Sequence, residues 1–219
     1  MEKRIRNNYL FGGLFFALFL VLIILVKAAD VAAVGPNDTS IGLSHINVAV
    51  HEFFGINDAF YKLTEVFGIL AILIAGFFAV FGGAQLIYRK RIDKMDKEIL
   101  ALGGLYTVVV VLYAFFEKVI INYRPVIEES GEVEASFPSS HTMLICVIMG
   151  SFIMVLDKYI RNQTVKRIVS IAAKVVILLT VIGRLVCGVH WFTDILGGVL
   201  ISMALLCVFG GVLKQFQKN

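Results

Sequence analysis

The sequence predicts an all-α polytopic membrane protein with six transmembrane helices, both termini cytoplasmic, and a single membrane domain over residues 1–219. Three observations predict it. Apolar side chains make up 59% of the 219 residues and the mean hydropathy is +0.88, above the ~45–50% apolar share of soluble domains. Six apolar runs approach the roughly 20 helical residues that cross about 30 Å of hydrocarbon. The basic residues collect in short blocks between alternate runs, as in cytoplasmic loops.

The first run, 9–26, follows Lys3, Arg4 and Arg6. It is long for the apolar region of a cleaved signal peptide and is read as a membrane helix. Residues 27–57 form an outer segment with a turn at Gly35-Pro36-Asn37-Asp38. Ile46, Val48, Val50, Phe53 and Phe54 alternate there with polar residues, as in an amphipathic piece lying at the interface. His51-Glu52 opens like a zinc-protease HExxH, but Gly55 stands where the second histidine belongs. His45 and His51 are therefore read as interfacial polar residues.

The second helix is expected over 65–88 and ends at Arg89-Lys90-Arg91, a charged block that continues through Lys94 and Lys97. A third, 99–116, returns the chain outside. Residues 118–139 are polar and punctuated by Pro125 and Pro138, the pattern of a loop between two turns. The fourth helix is expected over 140–156, the fifth over 168–186 and the sixth over 195–213, with Lys158, Arg161, Lys166 and Arg167 in the inner loop and Lys214 and Lys218 in the tail.

A net charge of +4 and a pI near 9.0 are accounted for by these topogenic blocks, so a nucleic-acid partner is excluded. Cys146, Cys187 and Cys207 fall in or beside apolar runs without metal-ligand spacing and read as core thiols.

Lys118, Arg124 and Arg184 lie at outer helix ends, against the positive-inside bias, which points to a bound anion. Taken singly, Arg184 would snorkel to the surface and Asp194 would cap a helix. The topology instead gathers them with Ser139, Ser140, His141 and His190 on one face, without a comparable set of carboxylates on the same helix ends. Phosphate fits such a pocket because guanidinium groups bind its oxygens in bidentate pairs. The first turn of the fourth helix, beginning at Ser139 and Ser140, would add unpaired N–H groups and the positive end of the helix dipole. If the sixth helix has begun by Asp194, that carboxylate can accept from His190 Nδ1–H and leave Nε2 as a nucleophile. His141 can protonate the leaving oxygen and later activate water. This chemistry asks for no metal or other cofactor.

Lys118…Arg124-Pro125, Pro138-Ser139-Ser140-His141 and Arg184-x5-His190-x3-Asp194 together resemble the three-part signature of the type 2 phosphatidic acid phosphatase family. These are integral-membrane lipid phosphatases related to vanadium haloperoxidases, and the motifs fall within 117–200. The resemblance implies that His190 forms a phosphohistidine, Asp194 orients it, and His141 is the general acid and then base. It also implies that Lys118, Arg124, Ser139 and Arg184 hold the phosphate, with the N–H of Ser140 beside them. Five residues separate Lys118 from Arg124 where the family usually has six, Ser140 replaces a glycine, and Gly183 replaces a serine, removing one hydroxyl contact.

The expected activity is hydrolysis of a lipid phosphate or diphosphate, such as undecaprenyl diphosphate, phosphatidylglycerol phosphate or phosphatidate, at the outer face of a bacterial cytoplasmic membrane. Its partners are then the lipid phosphate and the surrounding membrane lipids. The rival is a lipid-phosphate binding or transport protein, which needs the cations but no oriented imidazole; a vanadate haloperoxidase is disfavoured by the membrane helices. Glu128, Glu129, Glu132 and Glu134 read as a solvated acidic loop.

Overall fold

The computed structural model describes residues 1–127, 131 and 133–218. Six helices in it are long and apolar enough to cross a membrane: α1 (Glu2–Ala28), α3 (Asp58–Arg89), α4 (Lys97–Lys118), α5 (Ser140–Tyr159), α6 (Gln163–Val186) and α7 (Phe192–Lys218). Between α1 and α3 come a two-strand hairpin, β1 (Ala32–Ala33) with β2 (Ser40–Ile41), and the short helix α2 (Ser44–Phe54).

The spans run beyond their expected ends because polar caps, not apolar content, decide where a helix starts. Asn57 accepts the N–H groups of Ala59 and Phe60, so α3 begins at Asp58 instead of residue 65. Asn162 does the same for Thr164 and Val165 at the start of α6. α7 likewise begins at Phe192, ahead of the expected residue 195, which places Asp194 in its first turn.

α5 sits in the middle, packed on α3, α4, α6 and α7, while α1 lies along α7. With little water to expel inside a bilayer, helix association rests on packing and interhelical hydrogen bonds. Tyr106 Oη and Ser151 Oγ, 3.2 Å apart, join α4 to α5, and Ser202 Oγ donates to the Met143 carbonyl at 3.3 Å, joining α7 to α5. Pairing of Glu2 with Lys218 (2.6 Å) and of Tyr9 with Gln215 (3.1 Å) shows that α1 and α7 are antiparallel and that both termini share one end of the bundle.

The opposite end is formed by the starts of α3, α5 and α7, the ends of α4 and α6, and α2. That short helix exposes Ile46, Phe53 and Phe54 and buries Ser44 and Asn47, the two-faced character anticipated for this segment. Asp30 receives the Ser44 hydroxyl at 3.1 Å and the His45 N–H at 2.9 Å, which ties the chain after α1 to the start of α2.

Candidate active site

The last turn of α6, the turn after it and the first turn of α7 carry Arg184, His190 and Asp194. Arg184 is 1% exposed, and a guanidinium so far from water needs partners. Its Nη1 donates to Glu65 Oε1 at 3.2 Å and to Thr64 Oγ1 at 3.3 Å, and the group lies 5.5 Å over the Tyr61 ring. Beyond α6 the chain turns at Gly188, whose φ of +73° suits glycine. His51 of α2 donates through Nε2 to the Gly188 carbonyl at 3.0 Å and lies 5.4 Å from the Trp191 ring, so α2 braces this turn. Asn47 braces it from the other side by donating to Thr193 Oγ1 and accepting from the Thr193 N–H.

His190 is 3% exposed and Asp194 is fully buried. Direct contact between them was the expectation, and it is not what the geometry holds. His190 Nδ1 and Asp194 Oδ2 are 3.8 Å apart, beyond hydrogen-bond distance. The Ser136 hydroxyl stands between them, donating to Asp194 Oδ2 and lying 3.1 Å from His190 Nδ1. With its own proton given to the carboxylate, the serine oxygen accepts from Nδ1–H, and this fixes the tautomer with a lone pair on Nε2. That Nε2 is buried without a hydrogen-bond partner among the described residues. Asp194 Oδ2 is pinned further by the Trp191 N–H at 2.8 Å, because the carboxylate closes the turn that opens α7. Burial, reinforced by the charges of Arg184, Arg124 and His141, holds the His190 imidazole well below the usual histidine range.

Residues 119–127 and 133–139 are laid against this turn by backbone pairing. The Arg124 N–H donates to the Glu134 carbonyl at 3.1 Å and the Ser136 N–H to the Asn122 carbonyl at 2.9 Å. Trp191 Nε1 donates to the Tyr123 carbonyl at 2.7 Å, locking the two segments together. Arg124 Nη2 sits 3.6 Å from Glu134 Oε2. The Ser139 N–H donates to the Asp194 carbonyl at 2.9 Å, and Ser139 Oγ accepts from Thr142 as the cap of α5. Ser140 and His141 follow, half-buried, with His141 Nε2 at 3.0 Å from Glu65 Oε1. Among the described residues no three of His, Cys, Asp and Glu gather as metal ligands would.

A family model described as the PAP2 superfamily matches residues 69–218. The chain belongs to the PAP2 superfamily. It is similar to phosphatidylglycerophosphatase B of Bacillus subtilis (strain 168), 28% identical over 207 residues that cover 93% of this chain and 98% of the relative. Its fold matches the crystal structure of a transmembrane PAP2-type phosphatidylglycerolphosphate phosphatase from Bacillus subtilis with a TM-score of 0.63 at 23% identity, over 94% of this chain and 96% of that one. The protein is a PAP2-type, multi-pass membrane phosphatase.

The structure brings together Arg124, Ser139, Ser140, His141, Arg184, His190 and Asp194 at this end of the bundle. Lys118 ends α4 as an exposed residue. Two carboxylates from outside the helix ends that carry the basic residues enter the pocket: Glu65 of α3 and Glu134 of the loop both reach its arginines. Of the acidic loop, Glu134 is thus drawn to Arg124, while Glu128, Glu129 and Glu132 lie outside the described residues. Ser136, Glu65 and Thr64 were missed by motif reading. A serine two residues before a proline and a Thr-Glu pair at the head of a span look like ordinary solvated residues.

Proposed function

We propose that the chain hydrolyses the phosphate of a membrane lipid through a phosphohistidine on His190, with phosphatidylglycerol phosphate the first substrate to test and phosphatidate and undecaprenyl diphosphate next. One observation carries this reading: a buried Nε2, without a hydrogen-bond partner among the described residues, on an imidazole whose Nδ1 is tied to a carboxylate through Ser136. A site that only held phosphate would need cations and donors, not a histidine fixed in the nucleophilic tautomer. The name borne by the Bacillus subtilis relative supports the choice of first substrate.

In the first step His190 Nε2 bonds to phosphorus as the bond from phosphorus to the lipid oxygen breaks, and His141 gives that oxygen its proton. In the second, His141 takes a proton from water, whose oxygen displaces Nε2 and releases inorganic phosphate. Arg124, Arg184 and the N–H groups at the start of α5 neutralise the charge on the transferring group. A groove of about 260 Å³ beside His141, lined by Glu65, Gly68, Ile69, Ile72, Tyr113 and Leu144, offers the lipid chain an apolar course between α3, α4 and α5. The basic blocks sit toward the termini, so the site end faces outward by the positive-inside rule.

The test is phosphate release by the purified chain in detergent from each of the three lipids, together with trapping of an acid-labile phosphoenzyme. His190→Ala should abolish both. Turnover retained by that variant overturns the nucleophile assignment. Binding of all three lipids without release by the parent chain favours the non-hydrolytic reading.

A further inference from the structure

One carboxylate outside the three motifs reaches the centre of the site. Glu65 Oε1 lies 3.0 Å from His141 Nε2 and 3.2 Å from Arg184 Nη1. A negative charge in an anion pocket opposes the incoming phosphate, so its presence there calls for an offsetting benefit. α3 is fitted to His141 at two points on one face. Gly68, one turn beyond Glu65, has no side chain, and a Cβ there would stand 3.3 Å from His141 Cδ2.

We propose that Glu65 is the positioning residue for His141: arriving phosphate takes Arg184 from it, and the released carboxylate then holds the His141 imidazolium. The inference rests on the phosphatase reading above. Arg184 is buried and Glu65 supplies its countercharge. Phosphate offers Arg184 a bidentate partner in exchange. Glu65 is then left facing His141.

His141 carries positive charge in both half-reactions, before it protonates the leaving oxygen and after it takes the proton of water. A carboxylate at the imidazole stabilises that charge each time, while itself gaining and losing no proton, the part an aspartate plays behind the histidine of serine hydrolases. The other groups around His141 work the opposite way or are neutral. Arg184 from α6, Arg124 from residues 119–139 and His190 from the turn after α6 act on it electrostatically, and Tyr113 from α4 lines the same groove. Among the described residues Glu65 is the carboxylate paired with His141.

The experiment measures kcat against pH for the full-length parent, Glu65→Gln and Glu65→Asp in detergent, with phosphohistidine trapped in each. Glutamine keeps the shape and removes the charge, so the alkaline limb of its profile moves toward acid. Its loss of kcat should be about tenfold greater near pH 8.5 than near pH 6. Glu65→Asp, which keeps the charge at longer range, should fall between, and it is read alone if the glutamine variant does not fold. A variant profile that superimposes on the parent's after scaling by one factor is the mark of a structural role and overturns the proposal. A parent that turns over lipid with no phosphohistidine overturns the underlying mechanism instead, and this inference with it.

Discussion

Replacing Ser136 by alanine separates a bridged Asp–His pair from a direct one. The hydroxyl accepts from His190 Nδ1 at 3.1 Å and donates to Asp194 Oδ2, while the two ends of the bridge stand 3.8 Å apart. Alanine leaves a buried N–H and a buried carboxylate oxygen facing each other across that gap. Asp194 is not free to close it, because the Trp191 N–H holds the same oxygen at 2.8 Å and the Asp194 carbonyl receives the Ser139 N–H at 2.9 Å. A hydrogen bond to a charged group contributes about 1.5–3 kcal/mol, and each 1.36 kcal/mol is tenfold in rate. The expected loss is therefore about 10- to 150-fold in the rate of phosphohistidine formation. KM should change little, because Arg124 and Arg184 are untouched. Single-turnover quench with labelled substrate reads the step directly. A Ser136→Ala rate within about threefold of the parent would refute the bridge.

Four further outcomes follow from the same geometry. Gly188→Ala drives a Cβ into the Gly55 carbonyl oxygen at a positive φ; it should destabilise the fold by about 1–3 kcal/mol and displace His190, read by thermal melting and by loss of phosphate release. Arg184→Lys replaces a fork by a point charge and should weaken vanadate inhibition by about tenfold or more, checked by inhibition titration with parallel melting. The depressed His190 imidazole keeps its lone pair into acid, so the acid limb of kcat/KM should lie below the ordinary histidine value of about 6.5. The sign for stability is the same: the folded chain resists the proton that the unfolded chain takes up, so stability is full above the unfolded value and falls as pH drops through it. His190→Gln should flatten that fall in a comparison of melting between about pH 7.5 and pH 5.

The membrane spans were legible because apolar length answers directly to hydrocarbon thickness. Their starts were not, because single side chains such as Asn57 and Asn162 decide them. Arg184, His190 and Asp194 stood out as polar residues on a short segment between two long apolar runs. Glu65 and Ser136 carry no such mark. Glu65 gains its place from a partner 119 residues away in sequence and Ser136 from one 54 residues away, and neither spacing is periodic in any element. His51 was set aside as an interfacial histidine for the same reason; its link to the Gly188 carbonyl spans 137 residues.

Gly183 shows how a departure from a motif is to be understood. Read along the chain, glycine before Arg184 removes a hydroxyl that the family usually has there. In the fold, α3 occupies the space a side chain there would need: a Cβ at 183 would stand 2.8 Å from Thr64 Cγ2. Thr64 donates its own proton to the Phe60 and Tyr61 carbonyls at 3.0 and 2.9 Å, so its oxygen is free to accept from Arg184 Nη1 at 3.3 Å. The lost hydroxyl is thus replaced from a neighbouring helix. The same close approach sets Glu65, the next residue, against Arg184 and His141. A serine restored at 183 would push α3 outward and draw the Glu65 carboxylate off both partners, so the glycine and the carboxylate belong to one packing solution.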